Sequence, residues 1–473
     1  MPGFGIKSEL YGRTVIYSDV DAVTAENVAS VLHKAKSTHA TNASQINYLW
    51  DMYRGKQAIR NRTKDIRGDI VNKVCENRAY QIVSFFVGFI IGKPISYVTP
   101  FDDQSAAVRK LNDFMHSENK ATEDQSLVMW QQICGTSFRL VLPKSSNEPD
   151  EAPFTISTVE PQNAFVVYSS KIGHKPLCGV YFYTNADKKT VYCVYTPTEY
   201  FEVISGKVVK EAANVMGYIP LIEYPANDAR LGSIEIVASL LDEINLLDSD
   251  RIDGVEQFIQ SILVFINCQP PAGETAQSLN EKGIIALPST GANKADIKMI
   301  AEQLDQSQTQ VLKEDIYQSI LEIVGMPSVS NGNTSDSSNN GAVILKNGWQ
   351  NAEAKAEACE NMFRKSEREM LRVVLRICRE LAEGMNNITL SALQIYFPRQ
   401  NYGDIQTKAQ VLTMLLNNDK VAPKIAYEAC NMFKDPEKAC SLGMGWYADE
   451  TAAIKKRLTD KTSTVEDEAS DDV

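Results

Sequence analysis

Between Ala342 and Glu383 one seam of residues recurs at steps of four and three that alternate as far as Ile377, through Leu345, Trp349, Ala352, Ala356, Cys359, Phe363, Ser366, Met370, Val373, Ile377 and Leu381. That spacing holds a single stripe on one side of an α-helix, and a helix over the whole span is ~63 Å long. A rod of this length without internal caps lies against other helices, either in its own chain or in a neighbouring copy. Arg364, Arg368, Arg372 and Arg376 form an i, i+4 stripe roughly opposite the seam, which suits intersubunit pairing or a solvated face better than contact with nucleic acid. At 473 residues the chain has room for about three modules around such a rod.

The other elements point to an α+β chain that is mainly helical. Thr24 is placed to cap a helix through Lys36, and Ala43 to Ile59 reads as a second helix carrying Tyr48, Leu49, Trp50, Met52 and Tyr53. Ile70 to Ile91 reads as a buried helix, stopped by Gly92 and Pro94 and followed by the extended run ISYVTP. From Phe138 to Tyr224 the pattern becomes β-branched and aromatic (FRLVLP, FTIST, AFVVYSS, CGVYFYT, TVYCVY, TEYFEVIS, YIPLIEY), which predicts an antiparallel meander because no helical pattern intervenes to make parallel crossovers. Ser233 to Ile266 predicts one long helix, with Gly254 a candidate kink, and Gln306 to Val324 another, closed by Gly325 and Pro327. Between them, GIIALP and DIKMIA predict a small β-hairpin around Ser289-Thr-Gly-Ala-Asn293. Ser328 to Gly341 (SVSNGNTSDSSNNG) is low-complexity and carries neither Lys nor Arg. The rest gives a strand-like LQIYFP, short helices near 405–417 and 422–433, and an acidic tail from Thr459 that reads as disordered.

Composition excludes several classes. With 48 basic against 60 acidic residues the net charge is −12, which opposes tight nucleic-acid binding, since that affinity rests on cations displacing counterions. Nine scattered cysteines without a C-x-x-C pair, and only four His, read as free thiols with no metal site. The N-terminus lacks a signal-peptide layout, and the apolar stretch Ile82 to Ile91 is half of the ~20 residues a membrane span requires.

Catalytic patterns dissolve on inspection. Gly88-Phe-Ile-Ile-Gly92-Lys93-Pro94 lacks one residue of a phosphate-binding loop and has Pro where the metal-holding hydroxyl belongs, so packing and a helix stop explain it better. Ser117-x-x-Lys120 has the spacing of a serine–lysine pair but lies in a polar stretch, which predicts a solvated surface. Asp248, Asp250 and Asp253 read as a polar helix face rather than a metal cluster. The basic run Arg54, Lys56, Arg60, Arg62, Lys64 and Arg67 reads as surface or intersubunit ion pairs. No catalytic group and no cofactor is expected.

Four segments in fixed order carry a resemblance: Tyr48-Leu-Trp-Asp-Met-Tyr53-Arg-Gly55-Lys-Gln-Ala-Ile59; Gly92-Lys-Pro94-Ile-Ser-Tyr97; Gly217-Tyr-Ile-Pro220-Leu-Ile-Glu223-Tyr-Pro-Ala-Asn227 with Ser233-Ile-Glu235 and Leu246-Leu-Asp-Ser249-Asp250-Arg-Ile-Asp253; and Gly325-Met-Pro327 before the Ser/Asn/Gly loop, Asn340-Gly341-Ala342 and Trp349. Together they resemble the portal proteins of tailed bacteriophages, in the branch of long-tailed phages of Gram-positive hosts. The resemblance implies a ring, usually twelvefold, at one capsid vertex of the virion, assembled in the host cytoplasm around a channel for double-stranded DNA. It implies docking of the terminase large subunit, major capsid and scaffold proteins and a head-completion or adaptor protein, with no membrane partner.

Carried onto this chain, the resemblance makes 1–232 the wing, 233–266 and 306–327 stem helices, 267–305 the clip, 328–341 the tunnel loop, 342–385 the long wing helix, 386–458 the crown and 459–473 the tail. Channel residues are then Ser328, Ser330, Asn331, Asn333, Thr334, Ser335, Ser337, Ser338, Asn339 and Asn340. The clip would meet its partners through Pro270, Glu274, Gln277, Asn280, Lys282, Asn293 and Lys294. Trp349 joins the four arginines as an intersubunit candidate. A loop without cations retards a sliding duplex least, because every condensed cation adds drag. Alternatives are a cytosolic helical scaffold without catalytic activity and a DNA-processing enzyme.

Overall fold

The computed structural model describes residues 10–64, 69–144, 151–259, 262–266, 296–300, 306–328, 348–398 and 405–468, apart from 419, 431, 434 and 435. Helix α1 (Val28–Tyr53) is one element where the sequence suggests two. The polar stretch between the expected helices stays helical because its buried polar groups find partners. His39 Nε2 lies 2.9 Å from the Gln162 carbonyl, and Asn42 pairs with both the N–H and C=O of Thr14. Asn27, not Thr24, occupies the N-cap. Continuity lets α1 join two cores: Val28, Val31, Leu32 and Ala35 pack on a β-sheet, while Ile46, Leu49 and Met52 enter the main helical core.

The β-rich region is two sheets rather than one meander. Strands β1 (Ile16–Ser18), β5 (Ala164–Ser169), β6 (Pro176–Thr184), β7 (Thr190–Tyr195), β8 (Glu199–Ile204) and β9 (Lys207–Ala213) form a six-stranded sheet in that order. It is antiparallel except for the β1–β5 pair, which the N-terminal segment makes by running parallel to Val167–Ser169. Phe165, Val167, Val180, Val194, Phe201 and Val203 face α1 from this sheet. Strands β3 (Thr136–Pro143), β4 (Phe154–Val159) and β10 (Leu221–Pro225) form the second sheet, with β3 central. The extended runs on either side of the helical region find each other: β2 (Ser96–Val98) pairs with β13 (Gln394–Tyr396).

The main core gathers α2 (Arg78–Ile91), α3 (Ser105–Ser117), α4 (Lys120–Cys134), the second sheet, α5 (Ala238–Ile259), α6 (Gln306–Val324) and the long helix α7 (Trp349–Leu381). Of the predicted seam, Ala352, Ala356, Phe363, Ser366, Met370, Val373 and Ile377 are buried, whereas Leu381 is exposed at the helix end. Leu345 lies outside the described residues. Helix α2 begins at Arg78 rather than Ile70, because residues 70–77 are extended and bonded to α5 as set out below. The expected helix from Ser233 to Ile266 also ends early: α5 passes through Gly254 and stops at Ile259, and Ile262–Ile266 is strand β11, antiparallel to β12 (Asp296–Ile300). Its ILVFI sequence is β-branched and aromatic, and cross-strand pairing outweighs an apolar spacing that also fits a helix. DIKMI is therefore a strand as expected but pairs with β11, while GIIALP lies outside the described residues.

Beyond β13 stand α8 (Ile405–Leu416), α9 (Pro423–Cys430) and α10 (Pro436–Glu468). Helix α10 runs to Glu468, so most of the tail expected to be disordered is helical. Its Ala, Lys, Arg and Leu residues at 452–458 are good helix formers with Pro436 in the starting position, a local preference that outweighs the acidic composition beyond Thr459.

Candidate functional site

Two polar assemblies, both inside the protein, fix α5, α6 and the long helix α7 to the rest of the main core. The first lies along α5. Asn245, Ser249 and Asp253 sit four residues apart on one buried face of that helix. Their side-chain oxygens accept from alternate backbone N–H groups of the extended segment: Glu76 N–H to Asn245 at 2.8 Å, Val74 N–H to Ser249 at 3.0 Å and Asn72 N–H to Asp253 at 2.7 Å. The match is geometric, because four helical residues advance ~6 Å and two extended residues ~6.7 Å. Backbone donors of a segment that belongs to no helix or strand are thus satisfied by a helix face, which is why 70–77 does not join α2. The basic run closes the same joint. Arg62 bonds Asp250 and lies 2.8 Å from Asp253, and Lys64 pairs with Asp253.

These ion pairs are within the chain, where the sequence suggested surface or intersubunit pairs, and Asp250 and Asp253 converge on one guanidinium instead of forming a bland polar face. Burial disfavours the Asp253 carboxylate, but Lys64, Asn72 and Arg62 outweigh it and hold its pKa below the ordinary value. Helix α6 is tied in through Lys313, 2.8 Å from Glu76 and 2.9 Å from Asp248, and through Arg78, whose guanidinium stacks 4.2 Å from the Tyr317 ring centre.

The second assembly is a charge cluster where α4, β3 and α7 meet. Arg139 of β3 bonds Asp124 of α4 and lies 3.2 Å from Glu367 of α7. Lys120 bridges Asp124 at 2.6 Å and Glu367 at 2.7 Å. Tyr97 donates to Glu367 Oε1 at 2.5 Å and Tyr224 to Oε2 at 2.8 Å. Arg139 and Glu367 have no exposed surface. Two cations and two carboxylates cancel, so the cluster is buried without net charge, as burial requires. Burial raises the cost of ionising Glu367, yet Lys120 and Arg139 prevail and keep its pKa lowered. Lys120 is therefore not on a solvated surface as its polar neighbours suggest: Asn119 turns the chain in the left-handed region and directs α4 inward. Ser117 bonds only the Phe114 carbonyl.

The family described as "Phage portal protein, SPP1 Gp6-like" matches residues 32–463. The chain belongs to this family of phage portal proteins. No curated protein matches it by sequence. Among solved structures, one described as "Neck of empty GTA particle computed with C6 symmetry" aligns over 75% of this chain and 90% of that one, at 10% identity and a TM-score of 0.42. Another, "Neck of native GTA particle computed with C12 symmetry", aligns over 75% and 89%, at 10% identity and a TM-score of 0.39.

In this portal chain, of the expected channel residues only Ser328 is described, just past the end of α6, while Ser330, Asn331, Asn333, Thr334, Ser335, Ser337, Ser338, Asn339 and Asn340 lie outside the described residues. The same holds for the clip residues Pro270, Glu274, Gln277, Asn280, Lys282, Asn293 and Lys294. On α7, Arg364 pairs with Glu360, Arg372 with Glu369 and Arg376 with Glu380, all along the helix, and Arg368 is exposed. Trp349 packs against Phe85 and Phe89 of α2 in the same chain. Among the described residues no group of His, Cys, Asp or Glu is placed to hold a metal, none of the cysteines is in a disulfide, and no helix is long and apolar enough to cross a membrane.

Sequence reasoning missed Asn245, Ser249, Asp124, Arg139 and Glu367. The available signals were the Asn-Ser-Asp repeat at i, i+4 and i+8, and Glu360 and Glu367 one heptad apart beside the seam residues Cys359, Phe363, Ser366 and Met370.

Proposed function

We propose that copies of this chain close into a ring, twelvefold in the virion, around a channel through which double-stranded DNA enters and leaves the capsid. The ring acts without catalysis. It serves as the platform for the terminase large subunit, the major capsid and scaffold proteins and, after packaging, a head-completion or adaptor protein. The observation that carries this reading is the family match across residues 32–463.

Apolar side chains that the single chain leaves uncovered support it. Ile252 and Val255 on α5, and Val311, Leu312 and Ile323 on α6, are each more than two-fifths exposed, as are Leu442, Trp446 and Tyr447 on α10. Stripes of this kind on long helices are covered by neighbouring subunits. The composition of 328–341 supports the channel assignment, since hydroxyl and amide groups touch phosphates weakly and carry no sequence information. Replacing Asn331, Asn333, Asn339 and Asn340 with Lys tests it: rings should still assemble while DNA packaging or retention falls. Unchanged packaging refutes the assignment of that loop to the channel.

A further inference from the structure

Lys355, in the second turn of α7, reaches the place where α6 ends. Its ammonium donates to the Val324 carbonyl at 2.8 Å and to Ser233 Oγ at 2.9 Å, and it sits 4.2 Å from the centre of the Phe86 ring. Ser233 in turn donates to the Gln132 side chain. One cation therefore touches the Val324 carbonyl at the end of α6, Ser233 in the lead-in to α5, helix α2 and, through Ser233, helix α4. Among the described residues it does so without a carboxylate. Glu235 is taken by Arg13, Glu322 by Gln318, Glu360 by Arg364, and Asp124 by Lys120 and Arg139. Among the described residues, the titratable group that bears on Lys355 is the thiol of Cys359, one turn along the same helix.

We propose that Lys355 makes this joint a hinge of low local stability at neutral pH: the half-buried ammonium has a carbonyl and a hydroxyl but no carboxylate beside it among the described residues, and the joint opens by releasing the end of α6 together with the lysine into water. A carbonyl and a hydroxyl offset only part of the cost of desolvating a full charge, so the ionised closed form is poised against the open one. Burial pushes the Lys355 pKa down to about 8, in keeping with that balance. The sign follows from proton counting. Between about 8 and the ordinary lysine value of about 10.4 the open form binds more protons than the closed one, so the closed joint gains stability as pH rises through that window. The hinge lies directly before residues 328–341, and its consequence for DNA passage rests on the function proposed above. The hinge itself does not.

Hydrogen exchange on the full chain tests it. The reporters are the Gly325 and Met326 amides, which bond the Glu322 and Leu321 carbonyls at the end of α6. After correction for base catalysis, their protection should rise on the order of tenfold from about pH 7 to pH 9.5. Lys355→Arg, which stays charged, and Lys355→Met, which has no charge to lose, should abolish the rise, while Cys359→Ser should keep it. Protection that is flat or falls with pH in the unmodified chain overturns the proposal, as does a rise that survives in Lys355→Arg. Altered DNA packaging without these exchange changes would leave the channel reading standing and remove the hinge.

Discussion

Glu367→Gln is the sharpest perturbation of the buried charge cluster. The carboxylate receives Lys120, Arg139, Tyr97 and Tyr224, and none of the four has another anion in reach except Asp124, which Lys120 and Arg139 already share. An isosteric amide removes one negative charge and turns an N–H group toward donors. The cluster changes from neutral to a net charge of +1 at a fully buried site, and breaking a buried pair from one side costs about 3–5 kcal/mol. Urea denaturation of the two proteins at neutral pH measures the loss. Adding Lys120→Met restores neutrality, so the double variant should recover at least ~1 kcal/mol relative to the sum of the single changes. Because the Glu367 pKa is lowered in the fold, its contribution is complete above the ordinary carboxylate value of about 4.3 and is lost as pH falls below it. The gap between wild type and Glu367→Gln should therefore close in acid. A loss under ~1 kcal/mol at pH 7, or a gap independent of pH, refutes the idea that this cluster clamps α4, β3 and α7 electrostatically.

Further outcomes follow from the same geometry. Asn245→Ala leaves the Glu76 N–H without its acceptor, and should cost about 1–3 kcal/mol and speed exchange at that amide while the six-stranded sheet stays protected. Gly135→Ala should prevent folding or cost more than ~4 kcal/mol, since the added Cβ would meet the Arg230 carbonyl oxygen at 2.0 Å with φ at +78°. Gly173→Ala, also at positive φ but in open space, should cost only about 1 kcal/mol, which thermal melts of both variants will compare.

What the sequence made legible is what local periodicity controls. The β-rich region, the two short extended runs that become β2 and β13, and most of the α7 seam are visible because alternation and the 4-3 spacing survive into the fold. The elements that escaped are those whose partners are distant. ILVFI continues the apolar spacing of α5 and becomes a strand only because residues 296–300 lie beside it. KSTHATNA resembles a linker until Gln162 and Thr14 satisfy its His39 and Asn42. Lys120 looks solvated until residue 367, far along the chain, supplies its counter-charge. The composition of 328–341, low-complexity and without Lys or Arg, carries no periodicity from which packing could be read.

The account depends on identical copies of this chain surrounding an opening. Negative-stain or cryo-electron microscopy of the purified full chain tests this directly. It should show ring-shaped particles with rotational symmetry and an axial hole at least about 2 nm wide, enough for duplex DNA. Particles that stay monomeric at micromolar concentration, or that assemble without any through-hole, contradict it.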